Sequence, residues 1–288
     1  FEVCDTETGK VLFTSAEGLE QLAIRPNSRL TWFKGYKWYG DFVYRRASNG
    51  NITVINYVNV EDYVKGVLPY EIDPDWPADA QKAQAVCTRS FALGTHKHTD
   101  SGYDLCNTTN CQVYLGATRA TSESDAAVSA TAGETLSCDG KEVIGYFFSS
   151  DGGATEDSEN VWVTKVPYLR GVVDPYEKDI EFYCKSWSTT ISRAAVGDVS
   201  ITYTPIGNAM TVTVGGKTYS KDAVRTFLTS VCGLRYNSRH FTVEYDAASD
   251  TYSVVGGGYG HNCGMSQWGA KAMAQEHGKT YEEIISFY

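Results

Sequence analysis

The sequence of 288 residues lacks any run of about 18 apolar residues, the length that a membrane-spanning helix needs, and this excludes a transmembrane helix within it. Basic residues are also scarce. There are 25 Lys and Arg against 35 Asp and Glu, which gives a net charge of −10 and an isoelectric point near 5.0. Because a nucleic-acid-binding surface must be basic to hold phosphate, we expect no nucleic-acid partner.

Two common phosphate-binding motifs are also missing. The sequence has neither G-x-x-x-x-G-K-(S/T) nor G-x-G-x-x-G, so the usual phosphate-binding loops are excluded. Eight cysteines are unusual for a cytosolic enzyme but too sparse for a small disulfide scaffold. The remaining composition, with 42% hydrophobic and 21% charged residues, is that of a globular protein able to bury a sizeable core.

The pattern of residues 60–93 predicts two helices with a break between them. Apolar residues recur at helical spacing over residues 60–68, and Asn59 is suited to be the N-cap. Pro69 lacks an N–H group, so we expect the first helix to end before it. Pro77 is tolerated in a first helical turn, where we expect the second helix to start.

A glutamate, Glu71, lies in the predicted connector, and the second helix carries Lys82 and Arg89 two turns apart on one side. One carboxyl group with nearby cations is suited to general acid–base chemistry on a polar or anionic substrate. Glu71 could equally face solvent or cap the next helix. Asp73 and Asp75 are alternative carboxyl groups in the same connector.

A second cluster follows, with His96, His98, Cys106 and Cys111 in the spacing H-x-H-x7-C-x4-C. Thiolates and imidazoles in a short polar loop are the ligands that tetrahedral zinc prefers. We therefore expect one structural zinc ion that fixes this loop. The alternative is a disulfide between Cys106 and Cys111, with both histidines on the surface.

The order of elements predicts an α+β fold, with helices packed on largely antiparallel sheets and no βαβ repeat. Strand-like segments fill residues 1–58, with an Asn-Gly hairpin signal at 48–51. We expect residues 1–184 and 251–288 to form the main domain, with 185–250 as a smaller inserted α+β lobe.

Two glycine-containing segments are further candidates for a binding site. In SSDGGAT, Gly152 and Gly153 would let the backbone approach a ligand beside Ser149 and Ser150, although a plain turn explains the pattern as well. His261 follows glycines 256–258 and 260. A single histidine is more often structural, but so much neighbouring glycine favours a position facing a ligand.

These segments together resemble the stage II sporulation protein D (SpoIID) family, which is similar to the amidase enhancer LytB. Its V-x-D-Y-(L/V)-x-G-V-(L/V)-x-x-E and W-P-x-x-A-x-K-A-Q-A-V-x-x-R motifs are nearly complete here. The resemblance implies that Glu71 is the catalytic glutamate of a peptidoglycan lytic transglycosylase. It also implies that Lys82, Arg89, Gln112 and Tyr114 line its groove.

The later segments match the same family. Its S-x-x-G-G-x-T element corresponds to residues 149–155, and its G-H-G-x-G-M-S-Q element places His261 and Gln267 at the groove. Asn262 stands where the family usually has glycine, and Cys263 where it usually has valine, so the backbone conformation here is a point to check.

The resemblance also implies the reaction, the partners and the location. Expected substrates are glycan strands stripped of peptides by an amidase of the sporulation protein P type, cut to leave 1,6-anhydro ends. The expected location is extracytoplasmic, and we expect the full-length protein to be held at the membrane by the N-terminal anchor usual in the family. Three alternatives remain open: a non-catalytic activator of an amidase, a hydrolase using Asp73 or Asp75, and a zinc amidase.

Overall fold

Seven strands precede the first helix, and runs of helices and of mainly antiparallel strands follow, so the fold is α+β, as predicted. The computed structural model describes all residues, Phe1–Tyr288. The chain divides into two units. The first consists of Phe1–Pro74 and Thr95–Asp125, and the second of Asp75–Gly94 and Ala126–Tyr288.

The first unit is a set of small antiparallel sheets with one helix. Its sheets pair β1 with β2, β4 with β5, and β6 with both β3 and β7. The predicted Asn-Gly hairpin joins β6 to β7, with Gly50 at a positive φ. The elements are β1 (Glu2–Cys4), β2 (Val11–Thr14), β3 (Gln21–Ile24), β4 (Leu30–Phe33), β5 (Tyr36–Tyr39), β6 (Asp41–Arg46), β7 (Ile52–Tyr57), the helix α1 (Val60–Glu71) and a 3-10 helix at Thr99–Ser101.

The helix α1 runs two residues past Pro69, so the prediction that Pro69 ends it was wrong. A proline inside a helix removes one hydrogen bond and costs roughly 3 kcal/mol. Burial of Val67 and Leu68, which have no exposed surface, offsets this cost at the end of the helix. Glu71 is consequently the last residue of α1 and not part of the connector. The predicted N-cap is confirmed, because Asn59 accepts a hydrogen bond from the Glu61 N–H.

The second unit contains the remaining helices and strands. The helix α3 (Ser122–Ala130) includes the residue at which the chain passes into this unit. The other elements are α2 (Ala78–Gly94), β8 (Ser137–Cys138), β9 (Lys141–Glu142), β10 (Phe147–Phe148), α4 (Ser158–Val161), a 3-10 helix at Glu177–Asp179, β11 (Trp187–Ser192), α5 (Arg193–Val196), β12 (Val199–Tyr203), β13 (Ala209–Val214), β14 (Lys217–Ser220), α6 (Ala223–Ser230), β15 (Phe241–Asp246), β16 (Thr251–Gly256), β17 (Met265–Ser266), α7 (Gln267–His277) and α8 (Tyr281–Phe287).

The second unit contains several hydrophobic clusters. In one, the small residues of α2 pack on α7 and α8, with Ala83, Cys87, Met273 and Ile284 almost fully buried. Another lies among two three-stranded antiparallel sheets, β11-β16-β15 and β12-β13-β14, and is closed by Phe227 and its neighbours on α6. The short strands β10 and β17 pair in parallel, and their residues Phe147 and Met265 belong to the first cluster.

The predicted domains, 1–184 with 251–288, and 185–250, stay a prediction. The two units divide the chain at other positions, with α1 in the first unit and α2 in the second. The predicted lobe does have its own hydrophobic cluster, but this extends through β16 to Val254 and belongs to the second unit. None of the helices combines the length and the apolar composition that crossing a membrane requires.

Candidate functional site

Glu71 is held in a defined orientation at the end of α1. Its Oε1 accepts a hydrogen bond of 2.7 Å from the backbone N–H of Val113, and its side chain is half-buried. The other two candidate carboxyl groups, Asp73 and Asp75, are exposed in the segment between α1 and α2. An oriented, partly accessible carboxyl group is suited to exchange a proton with a bound substrate.

Three of the four predicted zinc ligands come together in the first unit. The ligand atoms of His98, Cys106 and Cys111 all lie within 4.8 Å of one another. The fourth, His96, does not join them: its Nδ1 lies 3.2 Å from Asp104 Oδ1 on an exposed part of the loop.

The geometry of this cluster fits zinc. The His98 Nε2 and Cys111 Sγ atoms are 3.5 Å apart, close to the separation of about 3.5 Å that bonds of about 2.0 and 2.3 Å impose at a tetrahedral ion. Burial acts to raise the pKa of the Cys106 thiol, but hydrogen bonds involving Thr108, Cys111 and His98 outweigh it and lower the pKa to about 6. Cys106 and Cys111 are not joined by a disulfide in the structure.

The loop that carries the two thiols also carries the residue that orients Glu71. Only Gln112 separates Cys111 from Val113. The Gln112 side chain is buried and accepts a hydrogen bond of 3.0 Å from the Tyr63 hydroxyl of α1. The cluster, the loop and the carboxyl group therefore form one connected arrangement in the first unit.

In the second unit, the SSDGGAT segment is fixed from inside by Glu177. The Ser150 hydroxyl and the backbone N–H groups of Asp151 and Gly152 all donate to its carboxylate, at 2.7, 3.0 and 3.1 Å. The N–H of Gly153 donates to Asp151 Oδ1 at 2.7 Å. These three backbone N–H groups are therefore used in hydrogen bonds that hold the loop in its conformation. Gly152 has a φ of +73°, and a Cβ there would lie 2.3 Å from the Gly257 carbonyl oxygen, so glycine is required for backbone packing.

The residue after His261 is an asparagine in a left-handed backbone conformation. Asn262 has a φ of +61°, a region that asparagine tolerates better than most residues. Its side-chain amide donates to the carbonyl oxygens of Asp151 and Ala154, at 2.8 and 3.1 Å. His261 is half-buried and packs beside Phe148, at a centroid distance of 5.1 Å.

The two cations of α2 differ in their surroundings. The Lys82 Nζ donates to Asp79 Oδ1 at 3.3 Å and is partly exposed. Arg89 is fully buried, and its guanidinium donates to the carbonyl oxygens of Val128 and Glu134, at 3.4 and 3.0 Å. Arg89 therefore satisfies carbonyl groups in and beyond the last turn of α3.

Half of the predicted substrate contacts are interior residues. Their side chains are at most 7% exposed and hydrogen-bond inside the protein, as with Gln267 to Gln84 at 3.3 Å and Tyr114 to Asn56 at 2.6 Å. These contacts lie within the protein, and direct contact with substrate stays a prediction for Arg89, Gln112, Tyr114, Ser150 and Gln267. The remaining five are partly exposed, namely Lys82, Ser149, Gly152, Gly153 and His261.

The sequence reasoning missed a connected group of aromatic side chains in the second unit, here named the aromatic surface. Trp268 stacks on Phe182 at 4.6 Å and contacts Trp76 at 4.7 Å, with the Lys271 ammonium over both indoles. The Tyr183 hydroxyl lies 3.3 Å from Ser149 Oγ. The high count of 20 Tyr and 6 Trp was the available signal, but it gave no positions. The members are Trp76, Phe182, Tyr183, Tyr236, Tyr259 and Trp268, all at least partly accessible.

Comparison with known proteins gives consistent matches. The family model described as SpoIID, stage II sporulation protein, matches residues 48–137, a range that contains Glu71 and the thiol loop. An uncharacterized protein of Brachyspira hyodysenteriae is 35% identical over 269 residues, which covers 88% of this chain and 71% of that protein.

Two named relatives come from Bacillus subtilis. The amidase enhancer is 29% identical over 289 residues, covering 78% of this chain but 39% of the enhancer. Stage II sporulation protein D is 30% identical over 275 residues, covering 85% of this chain and 76% of that protein. Because the similarity to the latter spans most of both proteins, this chain belongs to the stage II sporulation protein D family.

Proposed function

We propose that the protein is a lytic transglycosylase that cleaves peptidoglycan glycan strands during cell-wall remodelling in sporulation. The observation that carries the proposal is the position of Glu71, whose partly accessible carboxyl group is oriented by the Val113 N–H at 2.7 Å. Family membership supports the cell-wall and sporulation context.

The proposed reaction needs one carboxyl group acting twice. Protonated Glu71 donates its proton to the glycosidic oxygen as the bond from that oxygen to C1 of N-acetylmuramic acid breaks. The resulting Glu71 carboxylate then accepts the proton of the muramic 6-hydroxyl as that oxygen bonds to C1. The products are a 1,6-anhydro end and a free 4-hydroxyl, no water is consumed, and Glu71 returns to its protonated form.

Hydrolysis of the same bond would ordinarily use two carboxyl groups, placed about 5–9 Å apart, and a water molecule. Asp73 and Asp75 are the nearest candidates in sequence, and both lie exposed after the end of α1. An exposed carboxyl group on an irregular segment is poorly suited to hold a water molecule in a fixed position, which favours the single-carboxyl reaction.

The aromatic surface suits the proposed substrate. Sugar rings present apolar faces with polar edges, which match stacked indole and phenol rings that carry hydrogen-bonding groups. We assign Trp76, Phe182, Tyr183 and Trp268 to glycan binding in the second unit, with the Ser149 hydroxyl beside them.

A zinc ion bound by His98, Cys106 and Cys111 would have a structural role in this account. Two thiolate ligands favour a structural over a hydrolytic zinc site, which argues against a zinc amidase. The ion would fix the loop that contains Val113 and thereby the orientation of Glu71. The fourth ligand is not His96, which pairs with Asp104.

The partners and the location follow from the same proposal. Glycan strands lie outside the cytoplasm, so we place the protein at the extracytoplasmic face of the cell envelope; anchoring by an N-terminal membrane segment stays a prediction. An amidase of the sporulation protein P type would remove the peptides first. The similarity to an amidase enhancer supports a link to an amidase and also the alternative function, a glycan-binding activator that cuts nothing.

The experiment compares Glu71→Gln with Asp73→Asn and Asp75→Asn on peptide-stripped glycan strands. We expect Glu71→Gln to slow cleavage by about 10²–10⁴-fold, because it removes the acid–base group, and both aspartate variants to cleave at nearly the wild-type rate. Far-UV circular dichroism checks that each variant folds. Equal cleavage by the Glu71 variant and the wild type would rule out this role, and a wild-type protein that cuts no strand but stimulates an amidase would establish the alternative.

A further inference from the structure

Three buried carboxyl groups meet in the second unit, and none of them has a part in the proposed reaction. Asp151, Asp174 and Glu177 are 0, 6 and 4% exposed. One oxygen of each lies within 4.8 Å of the others.

Glu177 is satisfied as an anion. Its Oε1 accepts from the Asp151 N–H and the Ser266 hydroxyl, and its Oε2 accepts from the Ser150 hydroxyl and the Gly152 N–H. Four donors favour the charged form of Glu177, whereas burial raises its pKa.

Asp151 is the member whose hydrogen bonding is incomplete. Asp174 accepts from the Tyr176 N–H at 2.6 Å and from the Tyr288 hydroxyl at 2.7 Å. Asp151 Oδ1 accepts from the Gly153 N–H at 2.7 Å, but its Oδ2 is buried and has no hydrogen-bond donor. A buried carboxylate oxygen without a donor or a cation is costly, so this position indicates a missing positive partner.

The protein supplies no positively charged side chain to this carboxyl cluster. None of the ion pairs in the structure includes any of the three carboxyl groups. Burial and the charges of the other two carboxyl groups raise the pKa of Asp151 well above its usual range, and burial also raises the pKa of Glu177. The cluster therefore needs either a proton shared between Asp151 and Asp174 or a bound cation.

We propose that Asp151, Asp174 and Glu177 bind a hard divalent cation of the calcium type. A single shared proton would leave two negative charges buried, whereas a divalent cation leaves one. Two oxygens on the same calcium ion lie at most about 5 Å apart, which agrees with the limit of 4.8 Å seen here. Calcium accepts irregular, dehydrated carboxylate sites, whereas magnesium usually keeps several waters, for which this buried cluster is ill-suited.

The cation would link three parts of the second unit. Asp151 lies in the SSDGGAT segment, and Glu177 holds Ser266, the N-cap of α7. Asp174 holds the hydroxyl of Tyr288 at the C-terminal end of the chain. A filled site would therefore stabilise the loop beside the aromatic surface together with α7 and α8.

The test measures thermal unfolding and calorimetric binding on desalted protein with added calcium chloride, for the wild type, Asp151→Asn and Cys106→Ser. We expect about one calcium per chain and a rise in Tm of roughly 5 °C or more at 100 times the Kd for the wild type. Asp151→Asn should fold, because its amide can donate to Asp174, and should lose most of both effects. Cys106→Ser should keep them, since calcium does not favour thiolate ligands.

A shared proton predicts different results. Calcium would then change neither the Tm nor the heat of titration of the wild type. The pKa of Asp151 is raised in the folded state, so the folded protein would bind more protons than the unfolded chain, and stability would fall as the pH rises above about 4. Asp151→Asn would remove this decrease in stability with rising pH. That combination of results would overturn the proposal.

Discussion

The backbone N–H group of Val113 orients Glu71 through a hydrogen bond of 2.7 Å to Oε1. A hydrogen bond of this kind contributes about 0.5–1.5 kcal/mol, which favours one side-chain conformation over the others. Apart from a change to proline, substitution leaves a backbone donor in place, so the loop around Val113 controls where this donor lies. This makes the loop, and not only the glutamate, part of the proposed catalytic site.

Trp268 is the residue of the aromatic surface whose removal should weaken glycan binding most. It contacts Phe182 and Trp76, so Trp268→Ala would disrupt three rings at once. We expect the Kd for peptide-stripped strands to rise roughly 3- to 10-fold, measured in the Glu71→Gln background so that the strands stay intact. Tyr245→Ala, an exposed ring of β15 outside the surface, is the control and should bind normally. Equal binding by both variants would exclude the aromatic surface from glycan recognition.

Arg89 shows what residue types alone do not report. A cation two turns from Lys82 on a helix near a candidate glutamate is a reasonable substrate ligand from its spacing. Its partners, the carbonyl groups of Val128 and Glu134, lie about 40 residues later in the chain and cannot be identified from a local pattern. Asn59 is the opposite case, because an N-cap depends on the next two or three residues and was predicted correctly.

At the scale of elements, the thiol loop is the part of the fold on which the orientation of Glu71 depends. The spacing of the two cysteines and of His98 was visible in the sequence, and the structure brings these three together. His96 could not be separated from His98 by spacing alone. Its side chain instead pairs with Asp104, a contact set by the path of the loop.

Removing one thiol ligand tests the structural zinc. Cys106→Ser should lose about one equivalent of zinc per chain by elemental analysis, and glycan cleavage should fall because the Val113 N–H is no longer held in place. Cys138→Ser, in β8 of the second unit, is the matched control and should keep both zinc and activity. Wild-type protein without zinc, or with a 106–111 disulfide by mass spectrometry, would contradict the assignment.

Helix boundaries and unit boundaries were harder to predict than the elements themselves. The hairpins β6–β7, β13–β14 and β15–β16 follow turn signals and strand patterns that are local in sequence. The end of α1 does not, because burial of Val67 and Leu68 outweighs the helix-breaking tendency of Pro69. Likewise, the assignment of α1 and α2 to separate units depends on long-range packing that no local pattern reports.

At the scale of the whole molecule, the net charge of −10 is compatible with a mostly neutral glycan and unfavourable for binding polyphosphate. Its acidic groups have different roles. Some form ion pairs with basic side chains on the surface, and three are buried together in the second unit. Glu71 remains partly accessible at a helix end. The account therefore requires that glycan chemistry depend on this one carboxyl group.

The mass of the cleaved ends tests this central claim most directly. Purified protein is incubated with peptide-stripped glycan strands, and the fragments are weighed, with Glu71→Gln as the inactive control. Attack by the muramic 6-hydroxyl leaves an end that is lighter than a hydrolysed end by one water, about 18 mass units, because no water enters the product. The account predicts anhydro ends from the wild type and none from the variant; reducing ends, or anhydro ends from both proteins, would contradict it.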